Sequence, residues 1–72
     1  MTVEVSDPAF VYDLLYSLKR DEYAAAQTGR HTLEVRVPWA SSPAEAASTL
    51  DLYLVTWRSR HPGIDADVLE RV

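Results

Sequence analysis

Between Pro8 and about Gln27 the apolar residues Phe10, Val11, Leu14, Leu15 and Leu18 recur at steps of three and four. At 100° per residue they span roughly 140°, the broad stripe of a helix with one face on a core. Ser6 or Asp7 supplies its N-cap, and Pro8 suits the first turn, where a missing N–H leaves nothing unpaired. Thr28-Gly29 offers a stop, with Gly29 free to adopt the left-handed conformation after a last turn. On either side of this segment the period changes to two. Thr2-Val3-Glu4-Val5 alternates over a short strand. His31 to Val37 alternates over a longer one, with His31, Leu33, Val35 and Val37 pointing one way and Thr32, Glu34 and Arg36 the other. Pro38 has no N–H for a ladder and stops this strand or confines it to an edge.

The period returns to 3.6 in SPAEAASTLDLYLVTWRSR, residues 42–60. Ser42 and Glu45 make a capping box, and Pro43 takes the first helical position. Pro62 biases His61 away from the α region, so the helix stops near Arg60 or His61, with Gly63 completing the break. Ala46, Ala47, Leu50, Tyr53, Leu54, Trp57 and His61 fall within roughly 120°, an ordinary core face. Leu52 and Val55 lie well outside that arc. They are scattered surface residues, or the C-terminal tail covers them, or another subunit does. From Gly63 to Val72 the pattern fits one or two helical turns capped by Asp65, with Ile64, Val68, Leu69 and Val72 on one side.

The expected architecture is therefore α+β, or a small α/β unit, in the order β-α-β-α with a short C-terminal helical tail. The two strands would form a parallel pair joined by a right-handed crossover. A first strand of four residues leaves open a helix–strand–helix body with a draped N-terminus. A two-stranded sheet is barely stable alone, and its edges invite extension by a second copy.

Seventy-two residues make a single domain, 1–72. So short a chain buries only about 60% of the surface its unfolded form exposes and usually gains stability from cross-links, metal or oligomerisation. There is no cysteine, which removes disulfides and thiolate metal sites. The net charge of −4 is spread evenly along the chain and repels phosphate backbones, so no nucleic-acid partner is expected. No run of apolar residues is long enough for a membrane span, and the N-terminus lacks the pattern of a signal peptide; a cytoplasmic protein is expected. Arginine dominates over lysine and alanine is frequent, as in products of GC-rich genomes.

Recognisable chemistry is scarce. His31 opens a strand and His61 closes a helix, neither inside a catalytic signature. No serine sits in a GxSxG elbow, and two glycines, Gly29 and Gly63, cannot build a phosphate loop. Asp65, Asp67 and Glu70 resemble the start of a calcium loop but lack its glycine and its closing glutamate. Neither a cofactor nor a metal site is expected. On a continuous first helix Tyr12, Tyr16 and Tyr23 would fall within about 40° of one another, as the amphipathic border of the core or as a contact surface.

Two functions fit these residues. The first is a small non-catalytic protein–protein interaction or accessory module, a homodimer whose interface residues are Leu52, Val55, Tyr12, Tyr16 and Tyr23. The second is a small-molecule-binding domain or minor enzyme subunit with a pocket lined by Trp39, Tyr53, Trp57 and His31.

Overall fold

The computed structural model describes residues 1–69. Four strands and two helices follow one another: β1 (Thr2–Val5), a 3-10 turn (Pro8–Phe10) running into α1 (Val11–Arg20), β2 (Ala24–Gln27), β3 (Thr32–Arg36), α2 (Pro43–Ser59) and β4 (Ala66–Val68). The strands form one antiparallel sheet in the order β2-β3-β1-β4. The α+β class therefore stands, but the sheet has four strands rather than two, and the β-α-β-α order with a helical tail is corrected.

The first correction concerns the end of α1. A helix continuing to Gln27 would place Asp21 and Glu22, three and four residues after Leu18, on the face that meets the core. Two buried carboxylates are far costlier than ending the helix. The chain turns instead at Glu22, whose φ is 72°. The Glu22 N–H donates to the Lys19 carbonyl (3.1 Å) and the Tyr23 N–H to the Leu18 carbonyl (2.9 Å). This is a Schellman closure with glutamate where glycine is usual. Tyr23 drops into the core beside Leu18, and Ala24–Gln27, expected as helix, becomes an edge strand. Thr28 and Gly29 belong to the β2–β3 hairpin, where the Thr28 N–H donates to the Thr32 carbonyl (3.0 Å).

Inserting this hairpin also changes the pairing. β1 and β3 are antiparallel, not parallel, in the register Thr2↔Glu34, Val3↔Leu33 and Glu4↔Thr32. Since β2 is antiparallel to β3, β1 and β2 run the same way with β3 between them. β4 replaces the expected helical tail and pairs antiparallel with β1, Val3↔Val68 and Val5↔Ala66. Its Ala66 and Val68 are buried, so period two wins over the helical spacing once an edge of β1 is available. Glu70 and Val72 of that expected tail lie outside the described residues. Each helix thus joins two parallel strands that flank a third. This split β-α-β unit, used twice, is the ferredoxin-like topology.

Both helices cover one face of the sheet. Val3, Val5, Leu33, Val35, Val37, Ala66 and Val68 meet Val11, Leu14, Leu18, Leu50, Leu54 and Trp57 in a single core. The other face carries Thr2, Glu4, Thr32, Glu34, Arg36 and Asp67 and has no helix over it, as an antiparallel sheet allows. Asp7 is the N-cap of the first helical turn, its Oδ1 accepting from the Ala9 N–H at 2.9 Å. For α2, the Ser42 hydroxyl accepts from the Glu45 N–H (3.1 Å), while the Glu45 carboxylate reaches back to the N–H and hydroxyl of Ser41, one residue before the box position. Gly63, with φ 87°, makes the turn that sends the chain from α2 into β4.

Candidate functional site

The densest polar cluster joins the two helices. Ser17 on α1 and Asp21, the residue that caps its C-terminal end, both reach the hydroxyl of Tyr53 on α2. Tyr53 donates its proton to Asp21 Oδ2 at 2.6 Å, so the Ser17 hydroxyl is the donor toward the Tyr53 oxygen. Burial, together with the bond to Asp21, raises the Tyr53 pKa to about 12. The same bond, with Arg20 beside it, keeps the Asp21 carboxyl below the ordinary aspartate range. The neighbouring cleft, bordered by Arg20, Thr56 and Arg60, measures about 140 Å³, less than a useful ligand pocket. These contacts lock α1 to α2. Sequence alone did not single out Ser17 or Asp21, because their meaning depends on Tyr53 standing opposite them.

The pocket expected from Trp39, Tyr53, Trp57 and His31 is not assembled. Trp39 and Tyr53 instead flank Tyr23, with ring centroids 4.8 Å from it in each case. Burial pushes the Tyr23 pKa above the ordinary tyrosine value. Trp57 is buried and stacks on His61 at 4.1 Å, and His61 in turn meets the edge of Phe10 at 5.6 Å. His31 lies at the opposite end of β3 from Trp39, with the strand's length of roughly 17 Å between them. Both histidines hold structural bonds: His31 Nδ1 donates to the Val5 carbonyl (3.0 Å) and His61 Nδ1 to the Trp57 carbonyl (2.8 Å). A carbonyl only accepts, which places the proton on Nδ1 in both rings. Among the described residues no cluster of three metal-ligating side chains occurs.

A larger recess of about 410 Å³ opens between the end of β3 and the start of α2. Of its polar groups, Ser41 and Ser42 are bonded to Glu45 and the Met1 amine to Glu34 and the Val35 carbonyl, while Arg36 lines it as well.

What remains is surface. Leu52 and Val55 project from the outer face of α2, 70% and 52% exposed. β4 does not cover them, since it lies in the sheet on the opposite side of that helix. Tyr12 and Tyr16 stand out from α1 at 70% and 62% exposure, whereas Tyr23, beyond the helix and only 8% exposed, does not join them. Ser17 and Asp21 mark the side of α1 that faces α2. Tyr12 lies about 140° round the helix from Ser17, on the flank turned away from α2. The tyrosines and the Leu52–Val55 pair therefore form two patches and not one. On the uncovered sheet face, β1 and β3 present Thr2, Glu4, Thr32, Glu34 and Arg36, with no aromatic ring on which a base would stack. No helix among the described residues is long and apolar enough to cross a membrane.

No known protein family matches the chain, and neither does any curated protein or solved structure.

Proposed function

We propose that this protein is a small non-catalytic interaction module, acting as a homodimer that offers the outer face of α2 to another protein in the cytoplasm. The observation that carries the reading is Leu52, 70% exposed one turn from the half-exposed Val55 on a helix whose opposite face is fully occupied. Fully burying a leucine or valine gains about 1.5–3 kcal/mol, so covering the exposed parts of this pair gains about 2–4 kcal/mol. Association costs about 4–15 kcal/mol before any surplus appears, so the pair anchors a contact that must extend further. The polar clusters support the same reading. Ser17, Asp21 and Tyr53 are committed to one another, and both histidines are committed to backbone carbonyls. The acidic, ring-free sheet face gives a nucleic acid little to hold.

The test is affinity capture from the native host with three baits. We expect a host protein retained by the wild type and by His31→Ala and lost with Leu52→Glu, because a carboxylate cannot enter an apolar contact unpaired. Retention by Leu52→Glu together with loss by His31→Ala would overturn the proposal.

A further inference from the structure

The two edges of the sheet are treated differently. On β4, the Ser6 N–H donates to the Asp65 carbonyl (2.9 Å) and the Leu69 N–H to the Thr2 carbonyl (2.8 Å). By alternation, Ala66 and Val68 turn their backbone groups away from β1, toward the open edge. Arg58 occupies that edge: its Nη1 donates to the Ala66 carbonyl (2.7 Å) and to Asp67 Oδ1 (2.9 Å). A guanidinium laid across an edge strand obstructs the addition of another strand.

On β2 the alternation runs the same way but nothing blocks it. The Thr28–Thr32 bond and the register Ala26↔Glu34 and Ala24↔Arg36 put the even-numbered residues in the ladder with β3. The odd-numbered residues of β3 bond to β1 instead, as the Val35 N–H to the Met1 carbonyl (2.8 Å) and the Val5 N–H to the His31 carbonyl (2.8 Å) show. The N–H and C=O groups of Ala25 and Gln27 therefore point outward, and no described residue bonds to them. The strand, Ala-Ala-Ala-Gln, holds no charge and no proline, the usual devices that guard an edge.

We propose that β2 is the strand through which the chain pairs with a second copy of itself, antiparallel about a two-fold axis at Ala26, merging two sheets into one of eight strands. This deepens the homodimer reading above and rests on it. In that register Ala25 of each copy faces Gln27 of the other, and the four outward N–H and C=O groups of each strand find partners. A two-fold pairing sets uncharged strand against uncharged strand, while Glu34 and Arg36 stand one strand back. α1, which carries the exposed Tyr12, packs against β2. α2 packs toward β4, away from the axis, which leaves Leu52 and Val55 free for the protein partner.

The experiment is sedimentation velocity over a concentration series on the wild type, Ala26→Lys, Ala25→Pro and Leu52→Glu, with circular dichroism as the folding control. Ala26→Lys sets two ammonium groups opposite each other on the open face, and Ala25→Pro removes an outward N–H that the ladder with β3 does not use. We expect Ala26→Lys to weaken self-association at least tenfold, Ala25→Pro to abolish it at the same loading, and Leu52→Glu to leave it unchanged. If Ala25→Pro does not fold, Ala26→Lys decides the matter alone. A dimer that survives Ala26→Lys, or one that Leu52→Glu splits, overturns the β2 contact while the homodimer reading stands. A monomeric wild type overturns both.

Discussion

Replacing Glu22 with glycine stabilises the protein. Glu22 holds φ at 72° to close α1, a conformation that costs a residue with a Cβ about 1–2 kcal/mol. Glycine avoids that cost but loses about 0.5–1 kcal/mol through the greater freedom of its unfolded chain. The substitution also removes a carboxylate from the negative end of the helix dipole, a small further gain. The net is about 0.5–1 kcal/mol in favour of Glu22→Gly. For a domain this small, each kcal/mol moves Tm by about 4–8 °C, so thermal unfolding followed by circular dichroism reads a rise of about 2–8 °C. A helix running on to Gln27 predicts the opposite sign, since glycine inside a helix costs about 1 kcal/mol. A fall in Tm, or none, refutes the left-handed closure at Glu22 and with it the placement of β2.

Two other substitutions probe the framework. Tyr53 binds its proton more tightly when folded, so its contribution is full below about pH 10 and is lost as pH rises through about 12. We predict that Tyr53→Phe removes the last tyrosinate step in an alkaline absorbance titration and flattens the fall of stability across that window; an unchanged titration contradicts the Asp21–Tyr53 bond. Ser42→Ala removes the acceptor for the Glu45 N–H and should lower stability by about 0.5–2 kcal/mol in urea unfolding, and an unaltered midpoint contradicts the cap.

The elements that were legible in the sequence carry their own punctuation. α2 is bracketed by Ser42, Pro43 and Glu45 at one end and Pro62 and Gly63 at the other, and it spans Pro43–Ser59 as the spacing requires. β3 alternates cleanly and stops before Pro38. The outward position of Leu52 and Val55 follows from the helical wheel alone. β2 was hidden because three alanines favour helix and the closing residue is glutamate instead of glycine, although Asp21 and Glu22 on the core face already oppose continuation. β4 was hidden because Ile64, Val68 and Leu69 fit a helical spacing as well as a strand, and only the free edge of β1 decides between them. The Ser17–Tyr53–Asp21 bridge and the hold of Arg58 on Ala66 join residues distant in sequence or in different elements, and no local pattern announces them. The tyrosine stripe failed for the same reason as the long helix: Tyr23 lies past the turn and inside the core.

Sedimentation equilibrium of the wild-type chain from low micromolar to submillimolar concentration bears most directly on the claim that this protein has one unguarded edge and uses it. We predict an apparent mass that climbs from 8.1 kDa toward twice that value as concentration increases. A mass fixed at 8.1 kDa over the whole range contradicts it.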